Sequence, residues 1–364
     1  MTNASLLIAS FALAGLLGEI GVRIAAPQQL IMIRPDFWAP LDTVGWGHLP
    51  NVNITMNSGE RTVSVYTDAE GFRVGAAEIA PEGQRVLILG DSFMEAIQVD
   101  YEESAAGLLQ SILPTLTGAP VVVRNAGVGG WDPDQYLLRA RSLLAKSHFD
   151  LVITALYIGN DILSTPRAYL PPREPADRKR FSLPGYGGTS FTDAVLRPLN
   201  DLLEERSHLY LFFRTRLQTV RMMMGLAPVD FPPYFLKSVD NNDRFAVTAD
   251  LATQIEAVAS SDGADALFVF VPAPYQVDTD DLMRYVTGFG LDLSDIDLEL
   301  PNRRLGEALE ARGLHVVDLL TAFRAAHESG QRLYGAVDQH FSPEGHQLFV
   351  DLVAPVAAEM LDAR

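Results

Sequence analysis

The chain contains no cysteine. That excludes disulfides, zinc–thiolate centres and thiol nucleophiles, but it does not fix a compartment, because a cysteine-free chain suits either redox environment. Basic residues are scarce: 28 Lys and Arg stand against 46 Asp and Glu, a formal net charge of −18. A surface that acidic repels phosphate backbones, so nucleic acid is not an expected partner. Internal repeats and low-complexity tracts are also lacking. What is present is 364 residues, 48% of them hydrophobic. That is enough to bury the core of one large domain or two smaller ones, and too apolar for disorder as the main state.

The N-terminus holds the longest uncharged stretch. Residues 2–18 carry no charge and include Leu6, Leu7, Ile8, Phe11, Leu13, Leu16 and Leu17; Glu19 and Arg23 follow at i, i+4 spacing, where they can pair. The length is at the short edge of what spans a bilayer. No basic residue precedes the apolar run, as a cleaved signal would want, and Ala25-Ala26-Pro27 is a poor cleavage site. Residues 1–26 are therefore expected to form an uncleaved single-pass anchor, ahead of a cleaved signal segment or a buried core helix. The rest of the chain is expected outside the cytoplasm, although Arg23 and Arg34 after the segment tilt toward a cytoplasmic side.

Residues 27–80 form a lead-in in which short apolar groups alternate with turn residues, as in Val52-Asn53-Ile54-Thr55 and Thr62-Val63-Ser64-Val65-Tyr66. They predict a few short strands and packing, without chemistry. Residues 81–364 then read as an α/β domain. Val86-Leu87-Ile88-Leu89 is a strand buried on both faces, and it runs through Gly90 into Asp91-Ser92. A helix follows from Glu102 to Leu113, ended by Pro114. The second strand, Val121–Asn125, empties into Gly127 to Gly130. Asp132, Pro133 and Gln135 then carry the signals of a helix start. The third strand, Leu151–Tyr157, ends in Gly159-Asn160-Asp161; a fourth covers 266–271 and a short fifth 315–318.

Strand–helix alternation implies a parallel sheet whose carboxyl ends share one edge. Ser92, Gly130 and Asn160 are thus expected to meet there, where open α/β sheets place their chemistry. Residues 164–245 break the pattern as a lid-like insertion. Its basic cluster Arg173, Arg178, Lys179 and Arg180 reads as a solvated loop. Its segment Leu202–Met224 reads as a lid helix packed over the site, with a basic amphipathic helix on a membrane as the alternative. Last come Asp338-Gln339-His340 and a final helix started by Ser342-Pro343.

A serine nucleophile needs a base, a group that orients the base, and donors for the developing oxyanion. Ser92, His340 and Asp338 can fill the first three places, and the Ser92 N–H, a glycine N–H after the second strand and the Asn160 amide the last. Four stretches resemble the SGNH hydrolases, the GDSL esterase/lipase superfamily, in its membrane-anchored bacterial type: Gly90-Asp91-Ser92-Phe93, Asn125 to Gly130, Gly159-Asn160-Asp161 and Asp338-Gln339-His340. They occur in the family's order across residues 86–346.

The resemblance implies a flavodoxin-like three-layer α/β/α sandwich with a five-stranded parallel sheet. It also implies Ser92 as nucleophile, His340 as base, Asp338 orienting it, and an oxyanion hole from Ser92, Gly130 and Asn160. No cofactor and no metal are expected. The expected activity is hydrolysis of acyl, especially acetyl, esters of a carbohydrate or lipid. The alternatives are an O-acetyltransferase acting on a polysaccharide hydroxyl and a non-catalytic binding protein. One departure stands out: most family members place two residues between Asp and His, and here Gln339 stands alone, as in the polysaccharide O-acetyltransferase branch. His346 is expected to be structural, and His48, His148, His208, His315 and His327 to carry no chemistry.

Overall fold

The computed structural model describes residues 3–28, 36–76, 82–163, 203, 206–223, 231–336 and 338–363. The cluster Arg173, Arg178, Lys179 and Arg180 lies outside them. Helix α1 (Asn3–Ala25) comes first. Its stretch Ser5–Ala25 has a mean hydropathy of 1.9 and is long and apolar enough to cross a membrane. The lead-in follows as strands β1 (Trp38–Leu41) and β2 (Gly45–His48), paired antiparallel in a ribbon of their own, then β3 (Asn53–Asn57), β4 (Thr62–Thr67) and β5 (Arg73–Val74).

The α/β part begins with β6 (Gln84–Leu89), the short helix α2 (Ser92–Glu95) and α3 (Ala105–Thr117). It continues through β7 (Val121–Asn125), α4 (Pro133–Leu144) and β8 (Leu151–Tyr157). Helix α5 (His208–Met223) precedes α6 (Asn242–Ser261), β9 (Asp265–Val271), α7 (Pro274–Val277) and α8 (Thr279–Phe289). The last elements are α9 (Leu300–Glu310), β10 (His315–Asp318), α10 (Leu320–Glu328) and α11 (Pro343–Asp362).

The main sheet has the order β10-β9-β8-β6-β7-β5-β4-β3. Its five strands from β10 to β7 are parallel and carry the doubly wound order expected of a flavodoxin-like sandwich. The sheet does not stop at five strands. β5 pairs antiparallel with β7, and β4 and β3 extend it further, so the lead-in covers what would otherwise be an open edge.

Side chains of the parallel strands alternate between two cores, as a strand buried on both faces requires. Leu87, Leu89, Val152, Leu156, Phe268 and Phe270 pack with α4, α6 and α9; Val86, Ile88, Val123, Ile153 and Val269 pack with α3, α10 and α11.

Two helix boundaries differ from the sequence reading. Residues 101–103 form a single 3₁₀ turn, and α3 starts only after Ser104, whose Oγ accepts from Gly107 N at 3.2 Å. Pro114 does not end α3, which runs on to Thr117 and stops at the left-handed Gly118. Proline in the last turns forfeits one backbone bond, and burial of Leu109 and Leu113 against the core outweighs that loss. Helix α5 contacts α1 and α8.

Candidate active site

Ser92 opens α2 directly after the buried end of β6. Asp91 caps that short helix, its Oδ1 accepting from Phe93 N at 2.9 Å. Gly90 is required by closeness: a Cβ there would lie 2.6 Å from Met94 Cγ. Burial pushes the Asp91 carboxyl up to about 6, against the Phe93 N–H and the charge of His340, which pull it down. Ser92 itself is half-buried.

The structure brings His340 to it from the other end of the chain. His340 Nε2 lies 2.7 Å from Ser92 Oγ, and His340 Nδ1 is in close contact with Asp338 Oδ1. With Nδ1–H donating to Asp338, Nε2 is left to accept the serine proton. The Asp338 side chain is 3% exposed and that of His340 23%, so the carboxylate is dry while the imidazole faces the opening. Burial alone would push His340 down; the hydrogen bond and charge of Asp338, with the charges of Asp91 and Glu95, outweigh it and raise its pKa above the ordinary value. The Phe93 ring stacks obliquely on the imidazole, with centroids 5.0 Å apart.

The short Asp-to-His spacing is closed by backbone geometry. Gln339 is left-handed, with φ 64°. This reverses the chain in one residue, so that Asp338 and His340 side chains converge. Around it, Gly335 N donates to the His340 carbonyl at 2.9 Å and Gln339 N to the Gly335 carbonyl at 3.2 Å.

Gly130 and Asn160 are both exposed at the carboxyl ends of β7 and β8, the two strands that flank β6 in the sheet. Gly130 is left-handed, φ 75°. The loop that carries it is packed onto the serine turn. Val128 N donates to the Gly90 carbonyl at 3.1 Å, and Asn125 Nδ2 to the Met94 carbonyl at 2.7 Å. A Cβ on Gly127 would lie 2.7 Å from Met94 Cβ, and one on Gly129 2.7 Å from Glu95 Oε2. The Asn160 turn hangs on Asp161, whose Oδ2 accepts from Tyr157 N at 2.8 Å and Tyr136 Oη at 3.0 Å. Burial, then the charges of Asp91 and Asp132, push Asp161 well up.

Several residues around this edge carry no signal in the sequence, and all of them but Glu95 come from the lead-in. Glu95, three residues after Ser92, is buried, and its Oε1 accepts from Trp38 Nε1 at 2.8 Å and faces His48 Nε2 at 2.6 Å. His48, expected to be idle, thus braces the serine turn. Trp46 Nε1 donates to the Gly129 carbonyl at 3.0 Å. The buried Arg73 donates to the carbonyls of Glu95, Ala96 and Val99, with burial pulling its pKa down to about 10.

Glu60, at the tip between β3 and β4, holds the loop of Asp338. Its Oε2 accepts from Ala336 N at 3.0 Å and its Oε1 from Asp338 N at 3.2 Å. A cavity of about 310 Å³ opens beside His340 and Asp338, its wall including Glu60, Arg61, Gln98 and Arg332. His346 is apart from this edge: it is buried, and its Nδ1 accepts from Ala105 N at 3.2 Å.

No protein-family model matches the chain, and no curated protein matches it. Among solved structures, the chain is similar to a member of the lipolytic protein G-D-S-L family from Veillonella parvula, at 12% identity and a TM-score of 0.39, over 77% of this chain and 99% of that one. It is similar to the lipase/acylhydrolase from Enterococcus faecalis at 15% identity and a TM-score of 0.40, over 76% and 96%. It is also similar to an acetyl xylan esterase from Geobacillus stearothermophilus at 13% identity and a TM-score of 0.39, over 77% and 95%. At these identities and scores the likeness carries no chemistry, which comes instead from the chain's own side chains.

Proposed function

We propose that this chain is a serine ester hydrolase of the SGNH type, acting through Ser92, His340 and Asp338 on acyl, especially acetyl, esters of a carbohydrate or lipid. The observation that carries this reading is the 2.7 Å approach of His340 Nε2 to Ser92 Oγ, with Asp338 behind the ring.

His340 takes the Ser92 proton as Oγ attacks the ester carbonyl, and the negative charge moves to the carbonyl oxygen. The N–H groups of Ser92 and Gly130 and the Asn160 amide receive that oxyanion. The imidazolium returns its proton to the departing alkoxide, so an alcohol leaves and an acyl–serine ester remains. Water, deprotonated by His340, attacks the acyl group; the carboxylic acid leaves and Ser92 regains its proton. Asp338 keeps the required tautomer and stabilises the imidazolium.

The polar wall of the neighbouring cavity, with Glu60, Arg61 and Gln98, suits a hydroxyl-rich alcohol portion. Residues 1–26 serve as a single-pass anchor, residues 27–80 as the brace, and residues 81–364 as the catalytic domain on the extracytoplasmic side.

Ser92→Ala is expected to lower hydrolysis of p-nitrophenyl acetate by about a thousandfold or more and to abolish labelling by a fluorophosphonate probe. A variant that keeps the parent rate would overturn the proposal.

A further inference from the structure

The polar contacts between α1 and α5 belong to no part of the site around Ser92. Glu19, near the end of α1, directs both carboxylate oxygens at the start of α5. Its Oε2 accepts from Ser207 Oγ at 2.7 Å and Leu209 N at 3.0 Å, and its Oε1 from His208 N at 2.9 Å. Arg23 donates to Glu19 Oε1 at 2.7 Å and to the Arg206 carbonyl at 2.6 Å. Gln28 N donates to His208 Nδ1 at 2.8 Å. A carboxylate on the free N–H groups of a helix start is favoured by hydrogen bonding and by the helix dipole together. The last turns of α1 are thereby tied to the start of α5.

The uncharged stretch before Glu19 covers roughly 26 Å at a helical rise of ~1.5 Å per residue, close to the ~30 Å hydrocarbon core of a bilayer. Glu19 and the start of α5 then lie at headgroup level. From there α5 runs against α8 of the globular body and turns apolar side chains outward. Phe213 is 62% exposed, Leu217 63% and Val220 49%, at the i, i+4, i+7 spacing of one helical face. Arg206, Arg214 and Arg216 are exposed on the same segment. In a chain of net charge −18 this sets arginines on both flanks of an apolar face, Arg214 on one side and Arg216 on the other, adjoining a helix of bilayer length.

We infer that α5 is an in-plane interfacial helix that seats the protein on an anionic lipid surface. Phe213, Leu217 and Val220 enter the boundary between headgroups and acyl chains, and the arginines face lipid phosphates. Glu19 is the latch that fixes α5 at that depth. The inference rests on α1 being in the membrane, and not on the chemistry of Ser92.

Because the chain has no cysteine, Leu217→Cys gives a single thiol for an environment-sensitive nitrobenzoxadiazole label. The full chain is reconstituted in vesicles of phosphatidylcholine with phosphatidylglycerol. The label should be blue-shifted, and it should be quenched several-fold more by lipids spin-labelled near the headgroup than a label at Glu310→Cys on the exposed side of α9. Quenching should weaken in phosphatidylcholine alone; equal quenching in both vesicles overturns the anionic preference. A label that stays aqueous overturns the inference, as does a shielded label that lipid quenchers do not reach, since a second copy or another protein then covers the face. Flotation of the same vesicles reads α1 separately: floating protein with an aqueous label leaves the anchor intact and removes only the role of α5.

Discussion

Two opposed influences act on the protonation of His340. Burial disfavours the imidazolium, while Asp338 directly and Asp91 and Glu95 at longer range favour it, and the net shift is upward. A general base works only when neutral, so with His340 in that proposed role kcat/KM should rise with pH along an acid limb centred above the ordinary histidine value of about 6.5. The same shift gives stability that is full below the unfolded value and is lost as pH rises through the folded one. Asp338→Asn removes the largest upward influence; pH–rate profiles should show the limb moved down and kcat lowered by about a hundredfold or more. Glu60 touches no reacting atom and acts through the backbone of Asp338. Glu60→Ala should lower kcat about ten- to a hundredfold, and it should move the acid limb in the direction of Asp338→Asn. Glu60→Gln, which keeps an acceptor, should restore part of the rate. A lowered melting temperature with an unmoved limb would mean that Glu60 is only structural.

Helices α3 and α11 are joined by His346, whose Nδ1 accepts from the first N–H of α3. Burial holds this histidine neutral and pulls its pKa down to about 3, with the positive charges of Arg73 and His340 adding to the effect. The folded value is below the unfolded one, so the contribution is whole above about 6.5 and is lost as pH falls toward 3, at about 1.4 kcal/mol per pH unit. Urea unfolding of His346→Gln beside the parent, at pH 7 and pH 5, isolates this group from the buried carboxylates. The variant should be less stable at pH 7, and the gap should narrow by about 2 kcal/mol at pH 5.

At the scale of the molecule, the acidic balance dominates. With a sequence pI near 4.7, the protein carries a large negative charge at neutral pH, and that charge disappears as carboxylates protonate. Turbidity of the detergent-solubilised chain should be lowest near pH 7 and should peak close to pH 4.7, with salt flattening the dependence. A peak elsewhere would mean that α1 and the apolar face of α5, rather than net charge, control association.

The local pattern of the sequence was enough for the five parallel strands, the glycine and polar turns at their ends, and the Ser342-Pro343 start of α11. A strand buried on both faces must be an unbroken apolar run, and capping chemistry is written in adjacent residues. Pro114 misled because a proline signals a helix end, whereas tertiary burial decides whether the helix continues. The short Asp-to-His spacing could not be judged from residue types, since it depends on a left-handed Gln339 that nothing in the letters announces. Trp38, Trp46, His48, Glu60 and Arg73 were invisible for a different reason. Their partners lie between 22 and 278 residues away, and they reach them because the lead-in folds back onto the α/β part, β3 to β5 through the pairing of β5 with β7 and the separate β1–β2 ribbon through contacts with Glu95 and Gly129. The sequence by itself determined the parallel strands and the turns at their ends where the candidate residues stand, because buried strands and caps are local. Only the tertiary structure decided what braces them, because long-range antiparallel pairing leaves no local pattern to read.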